Sequence, residues 1–115
     1  HLVWESLDAS TELEKKGISA EVINIHTIKP MDEDIILQSV SKTGCLVSAE
    51  EHNIFGGLGE SISRLLTTRF PSPQEFIGTR DTFGESGTPS DLMNKYGLNS
   101  TSITKSVLDV IKRKR

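Results

Sequence analysis

Residues 44–60 read Gly-Cys-Leu-Val-Ser-Ala-Glu-Glu-His-Asn-Ile-Phe-Gly-Gly-Leu-Gly-Glu, an apolar run that turns to charge and then to glycine at the start of an amphipathic segment. The run 45–49 suits a buried strand, and Gly56, Gly57 and Gly59 permit a tight turn into a helix. Ile62, Leu65 and Leu66 then recur at helical spacing until Pro71, which a helix interior does not tolerate. A further β-prone run follows at 75–79. Strand, helix and strand in so short a span imply parallel strands joined by a right-handed crossover. In sheets of this kind ligands and partners gather at the carboxyl edge, where Glu50, Glu51 and His52 fall.

The rest of the chain extends the alternation. Val3, Trp4, Leu7 and Leu13 recur with helical spacing over 2–16, and Gly17 stands where that helix stops. Val22, Ile23 and Ile25 predict a strand over 20–25. Asp32, Glu33 and Asp34 form the acidic first turn of a helix closed by Gly44. Residues 80–89 carry loop chemistry, a short helix through Leu92 and Met93 ends near Gly97, and Asn99 or Ser100 caps a last helix striped by Ile103, Val107, Leu108, Val110 and Ile111. The expected architecture is a three-layer α/β/α domain over 1–115 with a mostly parallel sheet. Its oddity is that it leads with a helix where this class leads with a strand.

Bulk properties exclude several functions. A net charge of -3 gives no general field for nucleic acid or an anionic membrane, and the basic tail 112–115 suits the negative end of a helix dipole. No segment approaches the ~20 apolar residues of a membrane span. A single cysteine, Cys45, cannot form an internal disulfide and reads as a small core residue, so the chain is expected to be cytoplasmic. The hydrophobic fraction of 35% implies a thin core, or one that something else completes.

Two stretches resemble a known family: Gly-Ile-Ser-Ala-Glu-Val-Ile-Asn-Ile-His-Thr-Ile-Lys-Pro-Met-Asp from position 17 and Glu-Glu-His-Asn-Ile-Phe-Gly-Gly-Leu-Gly-Glu from position 50. They are similar to the carboxyl-terminal domain of the transketolase family, which includes transketolase, 1-deoxyxylulose-5-phosphate synthase and the beta subunits of 2-oxoacid dehydrogenases. Phe83-Gly84-Glu85-Ser86-Gly87-Thr88-Pro89 and Lys95-Tyr96-Gly97-Leu98 resemble the closing segment of transketolases, in the short form split into two polypeptides.

The resemblance implies a fragment of a longer chain, lacking an apolar strand just before the first helix. Without it two neighbouring strands would keep unpaired backbone groups. It also implies a parent enzyme that uses thiamine diphosphate and a divalent metal to move two-carbon ketol units between sugar phosphates. This piece would bind no cofactor and be inactive alone, packing on a pyrimidine-binding domain or companion subunit in a homo-oligomer. The rivals are a docking domain of a 2-oxoacid dehydrogenase beta subunit and a regulatory nucleotide-binding domain.

Glu50-Glu51-His52 invites an acid/base or metal reading, since adjacent carboxylates raise one another's pKa and histidine titrates near neutrality. Alternation along a strand leaves only Glu50 and His52 on one side, too few ligands for a stable metal site. Interdomain or dimer contact is the favoured role, with His26, Lys29, Glu50, Glu51, His52, Asn53 and Phe55 as candidates. The glycine-opened helix could hold a phosphate, but Glu60 in its first turn opposes an anion, and a structural turn is preferred. Arg80 with the Ser86–Pro89 hydroxyls is read as loop scaffold before anion grip.

Overall fold

The computed structural model describes residues 2–25, 30–53, 56–79, 94–95 and 97–114, with the backbone alone for His52 and Asn53. Among these residues four long helices and two strands follow in the order α1 (Leu2–Lys15), α2 (Glu33–Thr43), β1 (Leu46–Asn53), α3 (Leu58–Arg69), β2 (Gln74–Thr79) and α4 (Ser100–Lys112). The loop expected at 80–89 and the helix through Leu92 and Met93 lie outside the described residues.

Helix boundaries follow local chemistry. The Asp32 carboxylate accepts the Ile35 amide at the start of α2, and the Asn99 side chain accepts the Ser102 amide at the start of α4. Gly44 ends α2 with φ of 78°, a left-handed conformation that side chains disfavour, and its amide returns to the Val40 carbonyl. At the end of α1 the Ile18 amide reaches back to the Leu13 carbonyl at 3.0 Å.

Strands β1 and β2 are parallel, paired from Leu46 opposite Gln74 to Ala49 opposite Ile77, with an irregularity before Asn53 meets Thr79. The parallel crossover through α3 is as expected, but β1 is longer than the predicted 45–49 and carries Glu50 and Glu51 within the strand. Residues 20–25 join no ladder among the described residues, so the strand expected there is not formed. The reason is non-local: a β-branched run becomes a strand only beside a partner, and the space toward β1 is an open groove.

Side chains alternate across β1 and sort the core into two parts. Val47 and Ala49 pack against Leu2, Ala9, Ile77, Leu98 and Ile103, which join α1, β2 and α4. On the other face Leu46 packs with Ile36, Val40, Ile62, Leu65 and Leu66 of α2 and α3. The sheet thus lies between two helical layers. Within α1 the buried residues are Leu2, Ala9 and Leu13, whereas Val3, Trp4 and Leu7 are exposed, Trp4 by 71%.

Candidate functional site

At the carboxyl edge of the sheet, three glutamates each meet the start of another helix. Glu50 is buried, and its two carboxylate oxygens accept the amides of Leu58 and Gly59, both at 2.9 Å. Helix α3 begins at Gly57, which has no side chain to cap it, so β1 supplies the acceptor. Glu51, on the opposite face of the strand, accepts the Leu2 amide at 3.1 Å and holds the start of α1. Glu5 of α1 in turn accepts the Ser100 amide at 3.0 Å at the start of α4. A carboxylate suits these positions because unpaired amides and the helix dipole both favour negative charge.

This arrangement decides between the readings of the glycine turn. The Leu58 and Gly59 amides of α3 are taken by Glu50, whose negative charge opposes an anion there. Beneath the same turn the buried Gln74 amide donates to Ser48 Oγ and to the Gly59 carbonyl, both at 3.0 Å. Among the described residues no three of His, Cys, Asp and Glu come together as a metal-binding group. Of the predicted contact residues, Glu50 and Glu51 are brought to this edge; His26, Lys29 and Phe55 lie outside the described residues, as do the side chains of His52 and Asn53.

The second feature is a groove of about 620 Å³ between residues 20–25 and the free edge of β1. Ala9 and Val107 line it from the layer of α1 and α4, Ile36 and Val40 from that of α2. Its far wall is tied down by Glu21, whose carboxylate accepts Ser39 Oγ at 2.6 Å and Lys42 Nζ at 2.7 Å. The bond from Lys42, helped by that from Ser39, holds the Glu21 carboxyl below the usual glutamate range. Cys45 opens into the groove half-buried, not fully buried as its apolar run suggested. Burial pushes its thiol pKa up, and the Lys114 cation draws it partly back. Sequence reasoning missed Glu5, Gln74 and the partial exposure of Cys45.

Fold and edge together define a three-layer α/β/α domain whose carboxyl-edge carboxylates bind its own helices. The chain belongs to the transketolase carboxyl-terminal domain family, whose profile matches residues 1–103. It is 42% identical over 113 residues to the 6-deoxy-6-sulfo-D-fructose transketolase subunit SqwH of Clostridium sp. (strain MSTE9), covering 98% of this chain and 35% of that protein. It is 36% identical to the 1-deoxy-D-xylulose-5-phosphate synthase of Caldanaerobacter subterraneus subsp. tengcongensis (strain DSM 15242 / JCM 11007 / NBRC 100824 / MB4), covering 99% of this chain and 18% of that enzyme. A solved split gene transketolase, an inactive beta4 tetramer, superposes with a TM-score of 0.94 at 37% identity, covering 99% of this chain and 37% of its own. The chain thus spans about a third of the subunit relative and of the solved structure.

Proposed function

We propose that this chain is the assembly domain of a thiamine-diphosphate-dependent transketolase that moves two-carbon ketol units between sugar phosphates, and that it is inactive on its own. The observation that carries this reading is the fate of Glu50. This buried carboxylate at the sheet's carboxyl edge has both oxygens on backbone amides, a bond set that builds the domain. With those amides taken, the described residues do not fit a diphosphate cofactor and its metal, and no step of ketol transfer is assigned to them.

The partner in this reading is a pyrimidine-binding domain or companion subunit carrying the cofactor site. SqwH and an apulose-4-phosphate transketolase polypeptide of Phocaeicola vulgatus (strain ATCC 8482 / DSM 1447 / JCM 5826 / CCUG 4940 / NBRC 14291 / NCTC 11154) are both named as subunits, which supports a split enzyme. His26, Lys29, His52, Asn53 and Phe55 are the proposed contact residues, within a homo-oligomeric whole. Transketolase subunits among the relatives favour this reading over a dehydrogenase docking domain. The test is ketol transfer from a donor to an acceptor sugar phosphate, with thiamine diphosphate and magnesium present. Transfer is expected only when the chain is joined to the rest of its enzyme; turnover by the 115 residues alone would overturn the reading.

A further inference from the structure

Two of the carboxylate grips on helix starts lie in series. Glu51 of β1 takes the Leu2 amide at 3.1 Å, and within the same first turn of α1 Glu5 takes the Ser100 amide of α4 at 3.0 Å. The two bonds span 49 and 95 residues of sequence, so local folding dictates neither of them. Helix α4 also caps itself, since Asn99 accepts the Ser102 amide at 2.9 Å. The Glu5 bond is therefore not needed to begin α4. What it adds is a fixed place for that start relative to α1. Leu2, Ala9, Leu98 and Ile103 pack together beside these bonds, but apolar burial is non-directional and joins the helices without setting how their ends line up.

We infer that Glu51 and Glu5 form a two-step positional relay, which sets the start of α4 from the carboxyl end of β1 with the first turn of α1 as its moving part. The relay has a direction. Releasing Leu2 from Glu51 frees the turn that carries Glu5 and so loosens the hold on Ser100, whereas releasing Ser100 from Glu5 leaves Leu2 held by β1. Beyond Ser100 the path continues, because the Asn99 side chain donates to Asn94 Oδ1 at 3.0 Å. The neighbouring Glu50 grips α3 in the other helical layer, so two adjacent residues pass the position of β1 into both layers. A load on the carboxyl end of β1 is thereby carried to the segment around residue 99, far along the chain. The inference rests on these bonds and stands apart from the transfer chemistry.

The test is a double-mutant cycle on the whole 115-residue chain, with Glu51→Ala, Glu5→Ala and both together. Glu12→Ala, which breaks only the exposed Glu12–Lys15 pair of the same helix, is the control. Exchange of the Leu2 and Ser100 amides with water is measured by magnetisation transfer and corrected for intrinsic rates. Loss of a capping acceptor is expected to speed exchange about fivefold at the amide it held. Glu51→Ala should therefore speed Leu2 about fivefold and Ser100 by a smaller factor, about threefold. Glu5→Ala should speed Ser100 and leave Leu2 unchanged. In the double variant Ser100 should exchange as in Glu5→Ala alone, because Glu51 reaches it only through Glu5. Should an alanine variant fail to fold, the glutamine variant at that position replaces it, with the same order of effects at smaller size. Unchanged Ser100 exchange in Glu51→Ala, a Glu51 effect on Ser100 that persists without Glu5, or an equal response to Glu12→Ala would overturn the relay.

Discussion

A β-carbon added to Gly59 would stand 2.6 Å from Cδ2 of Phe76 and 2.8 Å from Ser48 Oγ. The first turn of α3 is pressed onto the sheet with no room for a side chain, and that closeness lets the Gly59 amide reach Glu50. Gly59→Ala should therefore destabilise the domain by about 1–3 kcal/mol through overpacking. Urea titration followed by circular dichroism is expected to show a lower midpoint with an unchanged slope.

Glu50→Gln tests the carboxylate's role directly. An amide presents one acceptor and one donor to two backbone N–H groups, so one helix amide loses its partner in a buried setting. A loss of about 1–3 kcal/mol is expected. Glu51→Gln, at an exposed residue, should cost under about 1 kcal/mol. Thermal melts of the two variants side by side provide the check; an equal effect would contradict the assigned geometry.

Leu13 is 1% exposed, whereas Leu46 is only half-buried beside the groove. Leu13→Ala should destabilise the protein by about 2–5 kcal/mol. Leu46→Ala should cost visibly less, because its side chain already borders open space. The ranking is read from denaturant midpoints.

The Glu21 tether gives a pH dependence of known sign. Hydrogen bonds from Lys42 and Ser39 depress its folded pKa, so the stabilisation is present above the unfolded value and is lost as pH falls through the lowered folded value. Residues 20–25 should loosen in acid below the ordinary glutamate range, seen as faster amide exchange corrected for intrinsic rates. Glu21→Gln should remove that dependence while leaving α3 exchange unchanged.

Local signals were legible and partnerships were not. Asn99 announces its helix as a cap and is found in that role, while Asp32, read as part of an acidic first turn, stands just before the helix as its cap. The crossover from β1 to β2 was equally readable, since glycine, an amphipathic run and proline follow one another along the chain. By contrast, Val22, Ile23 and Ile25 carry β propensity that says nothing of whether a neighbour is present to pair with them. Val3, Trp4 and Leu7 share helical spacing, yet periodicity defines a face without naming what covers it, and Leu2, Ala9 and Leu13 are the residues buried. Glu50 and Glu51 read as a titratable pair because carboxylates invite chemistry. A readable hint of Glu50's actual work was a helix starting at Gly57 with no capping side chain of its own.

The two apolar clusters flanking the sheet share no buried residue. Each can lose its packing while much of the other persists, and among the described residues the two-stranded ladder and polar bonds link their fates. In native-state exchange the α2–α3 half and the α1–α4 half are expected to open as separate cooperative units, giving two classes of protection in place of one. A domain built this way unfolds in instalments, and whatever lies between its layers decides whether it behaves as one body.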